Sequence, residues 1–230
     1  MNKTTESTTT IARTAATLHL LIVPLGIFSF VYVPLKLIVY DNISQTIQNI
    51  SENIFLFRLS SISHLLSQLL LVFLALSLYQ LFKSVNQTRS LLMFILTLLV
   101  VPISCLNEVH NFQIINIIEN EGNGFHSGEL NTLVSFLLDT SRNGVLIAQV
   151  FYGLWLLPLG LLIHESAYVP KLIGLFVIVA GLAYLFDSLA QLLSPGFPII
   201  SQYTFILELI FPIWLLTKGI KMRESENNLL

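Results

Sequence analysis

KLIGLFVIVAGLAYLFDSLAQLL, residues 171–193, is an apolar run with a single carboxylate, Asp187, set well inside it. A helix needs about 20 apolar residues to cross a bilayer, so this stretch reads as a membrane span. An ionised side chain at bilayer depth costs roughly 2.5–3.5 kcal/mol even on lenient insertion scales, so such residues face a protein interior or a wet cavity. Asp187 is not alone. Arg58, His64, Glu108, Arg142 and Glu208 also sit in long apolar runs.

Composition agrees. Of 230 residues, 54% are hydrophobic and 10% charged, with mean hydropathy +0.79, where a soluble domain carries about 25% charge. The expected class is an all-α integral membrane protein with six transmembrane helices, near 14–36, 55–82, 90–112, 141–164, 171–193 and 199–218. Residues 1–13 are expected to be a disordered cytoplasmic N-terminus, 14–218 the membrane domain and 219–230 a cytoplasmic tail. The first run is too long for a signal-peptide core and reads as retained. A net charge of −2 gives no reason to expect nucleic acid as a partner. The one cysteine, Cys105, excludes an internal disulfide and a multi-cysteine metal site.

Orientation follows from the basic residues. Lys3, Arg13, Lys83, Arg89, Lys171, Lys218, Lys221 and Arg223, eight of the eleven, fall on one side. The positive-inside rule puts that side, and both termini, in the cytoplasm. On the other side Asp41-Asn42 reads as a helix start. Ile43, Ile47, Ile50 and Ile54 follow at helical spacing among polar residues, as in a short interfacial helix. Residues 129–164 as one helix would run about 54 Å, too long for one crossing. The polar run 139–144 is therefore expected to break it into a surface helix near 129–138 and a span, with Gly122-Asn123-Gly124 as the preceding turn. Pro24-Leu25-Gly26 before Tyr32-Val33-Pro34 and Pro158-Leu159-Gly160 before Tyr168-Val169-Pro170 have the opposed senses of an inverted repeat. Chance among leucine-rich segments is the simpler reading.

The polar residues of the spans line up on helix faces. Arg58, Ser61, His64 and Gln68 share one side of span two. Asn107 and Glu108 belong to a stripe on span three, Arg142 and Gln149 to one on span four, Asp187 and Ser188 to one on span five, and Glu208 lies near mid-depth on span six. Together they predict an outward-facing intramembrane polar cavity lined by Arg58, His64, Gln68, Asn107, Glu108, Arg142, Gln149, Asp187, Ser188 and Glu208. His19, near the inner end of span one, lies outside that set. An ion pair between an arginine, Arg58 or Arg142, and Asp187, Glu208 or Glu108 is the main structural alternative. No phosphate loop, H-E-x-x-H pair, G-x-S-x-G elbow or Cys-x-x-Cys is present. No cofactor, metal or catalytic residue is assigned.

Leu154-Trp155-Leu156-Leu157-Pro158-Leu159-Gly160-Leu161-Leu162, then Pro170 to Gly174, Ala180-Gly181, Tyr184, Asp187-Ser188, Glu208, Trp214 and Lys218-Gly219 follow in order. Together they resemble domain-of-unknown-function family 4386, over about residues 11–223. The resemblance implies a multi-pass protein of the bacterial plasma (inner) membrane with no established activity. Three readings stay open: a transporter-like or ion-coupled carrier, a membrane-embedded enzyme acting on a lipid or lipid-linked substrate, and a non-catalytic membrane partner or sensor. The expected partners are the lipid bilayer and an unknown small molecule, ion or lipid.

Overall fold

The structure, a computed structural model, describes residues 3–39, 41–120, 126–166 and 169–217. They form α1 (Lys3–Ile27), a π-helical turn (Phe28–Tyr32), α2 (Val33–Leu37), α3 (Ile43–Glu52), α4 (Ile54–Phe82), α5 (Gln87–Glu119), α6 (Ser127–Glu165), α7 (Lys171–Leu193) and α8 (Ser201–Thr217), with no strand among the described residues.

The bundle is apolar on its outside as well as in its core. On α7, Leu172, Leu175, Val179, Leu182, Phe186 and Leu189 recur every three or four residues and are exposed, while Asp187, Ser188 and Gln191 are buried. A continuous exposed apolar stripe of this kind marks a surface made for lipid. Five stretches are long and apolar enough to cross a membrane: Thr8–Leu37, Ile54–Phe82, Gln87–Glu119, Gly128–Glu165 and Lys171–Leu193. The run expected as a sixth span is the shorter apolar helix α8, 17 residues long.

Lipid offers no hydrophobic drive for helices to associate, so their packing depends on close backbone approach. In α6 and α7 glycines supply it. Gly153 faces Gly181 and Gly160 faces Gly174 across the antiparallel pair, and a Cβ at Gly153 would lie 2.7 Å from the Gly181 carbonyl oxygen. One at Gly160 would lie 2.6 Å from the Gly174 carbonyl oxygen. Around this pair, Ala15, Ala16, Leu74, Leu78, Phe82, Leu156, Leu159, Val177 and Phe211 close the main core.

Two expectations change at the helix ends. The break expected at 139–144 is not there: α6 runs unbroken for 39 residues, about 58 Å, and α5 for 33 residues, about 50 Å. Both exceed the ~30 Å hydrocarbon thickness. Their surplus turns are not left bare, because they build a second core. Val33, Leu37, Ile50, Phe57, Ile114, Ile115, Val134 and Leu137 meet there, with Ile43, Ile47 and Ile54 packed against them. The polar run is accommodated because Asp139, Arg142 and Asn143 point out of this lobe while Ser141 turns inward. The isoleucine stripe lies on α3 and packs on protein, with Ile50 buried and Ile43 and Ile47 against the same core. The Asn42 side chain caps α3 by accepting from the Gln45 N–H at 3.0 Å.

At the other end, α1 begins at Lys3, through the stretch expected to be disordered, because Ala12, Ala15 and Ala16 pack into the main core. The expected turn at 122–124 and the tail 219–230 lie outside the described residues. Of the suggested repeat, Pro158 sits inside regular α-helix, whereas the helix after Pro24 opens into the π turn. The two copies therefore differ in backbone as well as in spacing.

Candidate functional site

The π turn has a local cause. Pro34 offers no N–H, and in a regular α-helix its ring would collide with the carbonyl four residues back, at Phe30. Widening one turn removes the conflict, and the Val33 N–H bonds to Phe28 O instead. The turn is fastened to α4 by Ser29 Oγ, which donates to Ser60 O at 3.0 Å. It places the Phe30 ring edge-on against the His64 imidazole, with centroids 4.6 Å apart. Single π turns of this type recur at functional sites.

Beneath Phe30 lies a chain of polar contacts. His64 Nδ1 is 2.6 Å from Glu108 Oε1, and Gln68 Nε2 is 3.0 Å from His64 Nε2. Through its two ring nitrogens His64 therefore links the Glu108 carboxyl group to the Gln68 amide. Asn111 Nδ2 donates to Glu108 Oε2 at 2.9 Å, and Ser141 Oγ donates to Asn111 Oδ1 at 3.2 Å. Asn107 Nδ2 donates to Ser141 O at 2.9 Å. Gly144 makes that contact possible, since a methyl group at that position would overlap the Asn107 amide. His64, Gln68, Asn107 and Glu108 are all buried. The carboxylate is thus held by His64 and Asn111, with no Lys or Arg ion-paired to it among the described residues. Gln68 Oε1 is buried without a partner.

The other expected site residues go elsewhere. Arg58 pairs with Glu119 at 2.5 Å, both about two-fifths exposed. Arg142 donates to Gln191 Oε1 at 3.3 Å, and Ser188 Oγ donates to Leu146 O at 2.6 Å, tying α7 to α6. Gln149 is half-buried on α6. Asp187 accepts from the N–H groups of Ile200, at 3.0 Å, and Ser201, at 2.6 Å, and so caps the start of α8. Glu208 lies with His19, whose Nε2 is 3.2 Å from Oε1. Four of the ten expected residues therefore form one group, and the rest occupy other helix interfaces. Neither Arg58 nor Arg142 forms an ion pair with Asp187, Glu208 or Glu108 among the described residues; histidines pair with two of those acids instead.

The family follows from the whole length of the bundle. The domain of unknown function DUF4386 matches residues 14–219, from the interior of α1 to just past α8. The chain belongs to the DUF4386 family. An uncharacterized protein of Archaeoglobus fulgidus is 35% identical over 79 residues, which is 34% of this chain and 48% of that protein. The chain thus spans about half the length of the curated relative it matches. No solved structure matches.

In this DUF4386 chain, reading by helix face missed three contributors. His19 stood apart by depth, yet it faces Glu208. Tyr152, apolar in appearance, donates its hydroxyl to Glu208 Oε1 at 2.7 Å. Gly144 carries no polar atom to attract attention, and its one signal is its place beside Ser141 and Arg142.

Proposed function

We propose that this chain is a six-span plasma-membrane protein of a bacterium, with both termini in the cytoplasm, acting as a carrier. Its solute is small and either cationic or rich in hydrogen-bond donors. It binds at an outward-facing polar site made by His64, Gln68, Asn107 and Glu108, below the lobe formed by α2, α3 and the ends of α5 and α6. The observation that carries this reading is the Glu108 carboxylate, 4% exposed and held by an imidazole and an amide, with no Lys or Arg ion-paired to it among the described residues. A carboxylate that is only a strut is stabilised best by a permanent positive charge. One without a Lys or Arg partner is suited to a visiting cation. The π turn supports the same reading, since interrupted helices line the binding sites of carriers, and Phe30 is the ring that covers His64.

The test is electrometry on proteoliposomes presented with amines, amino acids and alkali cations. Wild-type protein is expected to give a solute-evoked current with at least one of them. Glu108→Gln, inserted and monodisperse, is expected to lose it. Absence of both charge movement and solute uptake into the vesicles with every compound rejects the carrier. Conversion of a vesicle lipid during the same incubation would point instead to an embedded enzyme.

A further inference from the structure

The interior of the bundle holds a second group that the Glu108 site does not include. His19 from α1, Tyr152 from α6 and Glu208 from α8 converge on one carboxylate oxygen, with His19 Nε2 at 3.2 Å and the Tyr152 hydroxyl at 2.7 Å. Tyr184 from α7 meets the Tyr152 ring edge-on at 5.1 Å. Among the described residues, no Lys or Arg is ion-paired to Glu208. His19 is 3% exposed, and Glu208 and Trp155 1% each.

Three buried polar atoms of this neighbourhood have no hydrogen-bond partner among the described residues: Glu208 Oε2, His19 Nδ1 and the indole Nε1 of Trp155, whose ring lies against Tyr152. Buried polar atoms are nearly always satisfied, and each exception calls for a reason. Here the exceptions include the far atom of each partner in the His19–Glu208 contact. A pair that only pinned α1 to α8 would gain nothing from those open positions. A pair that receives and releases a proton needs both.

We propose that His19, Glu208 and Tyr152 form an exchangeable proton-binding site. In the proton-free form Glu208 is a carboxylate that accepts from the Tyr152 hydroxyl and from Nε2–H of a neutral His19. A proton taken up at His19 Nδ1 makes the ring an imidazolium, and Nε2 passes its own proton to Glu208 Oε1. One proton has entered, one O–H bond has formed, and the imidazole is neutral again in its other tautomer. Release reverses the path, or follows rotation of the carboxyl group, which carries the O–H to the open Oε2 position before the proton leaves. The gain of one proton removes the negative charge, so the occupied site has the lower desolvation cost in a medium of low dielectric. The inference deepens the carrier reading by naming its driving ion. Its test involves neither solute nor flux, so either can fail alone.

The experiment labels the full-length protein in liposomes with dicyclohexylcarbodiimide, which attacks protonated carboxyl groups in apolar surroundings, and maps the adduct by peptide mass. Glu208 is expected to react, several-fold faster in acid than in alkaline buffer, and sodium chloride in place of potassium chloride should not change the rate. In His19→Asn and Tyr152→Phe the carboxyl group loses a stabilising donor and stays protonated, so labelling should remain fast and lose its dependence on pH. An infrared difference spectrum of wild-type protein should gain a protonated-carboxyl band on acidification, absent from Glu208→Gln. A wild-type Glu208 that is unreactive at every pH, with no such band, would make the pair a permanent strut and overturn the proposal. Protection by sodium at constant pH would also overturn it, since the ligand would then be a metal cation.

Discussion

Asp187 commits both of its oxygens to the backbone, and that separates it from the other buried acids. Asp187 lies about 9 Å before the end of α7 at ~1.5 Å per residue, yet it reaches the first N–H groups of α8. Helix α8 therefore starts below the level at which α7 stops. Its unpaired N–H groups and positive dipole end need an acceptor there, and Asp187 is that acceptor. Asp187→Ala is expected to lower stability by about 0.5–2 kcal/mol, the usual cost of a lost N-cap. Asp187→Asn, which keeps an accepting oxygen, should recover most of it, as read by the melting temperature in detergent. Equal stability of wild type and Asp187→Ala would show that the cap is idle. That a carboxylate at this depth must have a partner is legible in the sequence. Which partner it has is not, because His19 lies 189 positions from Glu208 and the acceptor role of Asp187 depends on where α8 begins. Spacing along one helix carries no information on what stands opposite.

At the scale of helices, the feature hardest to read in advance is the seam between α6 and α7. Gly153 and Gly160 repeat at the same interval as Gly174 and Gly181, and the two pairs mesh only because the helices run antiparallel through a short turn. Each glycine alone looks like a weak point in a helix. Paired, they let carbonyl oxygens sit where a methyl group would intrude. Gly160→Ala or Gly174→Ala should cost about 1–3 kcal/mol through overpacking. Gly26→Ala serves as control, because a Cβ there meets nothing within 4 Å, and it should be neutral or gain up to about 1 kcal/mol from helix propensity. Thermal unfolding of the three variants in one detergent checks the contrast, and equal loss in all three would dissolve it. The unbroken course of α6 has a similar origin. The polar run 139–144 argues for a break only if the helix must stay inside the bilayer, and the second core frees it from that condition.

For the whole molecule, two cores stacked along one long helix pair bear on which end faces which solution. The lobe built by α2, α3 and the ends of α5 and α6 keeps its isoleucines inward and shows Gln48, Glu52, Glu129 and Asp139 outward. Among the described residues its basic side chains are few: Lys36 is exposed at the end of α2, Arg142 points outward on α6, and Arg58 at the margin is matched by Glu119. The opposite end gathers Lys83, Lys171 and an Arg89–Glu165 ion pair across the α5 and α6 termini. A surface short of free Lys and Arg is the one the positive-inside rule sends across the membrane, so the lobe should lie outside and the Lys83 turn in the cytoplasm. Single cysteines at Glu129 and Ser84, each in a Cys105→Ala background, test this with an impermeant maleimide applied to intact cells. Glu129→Cys should label at once. Ser84→Cys should label only after the membrane is opened. The reverse pattern would turn the molecule over and place the Glu108 site on the cytoplasmic side. Labelling of both in intact cells would mean that the two ends are not separated by a membrane, and the six-span reading would go with it.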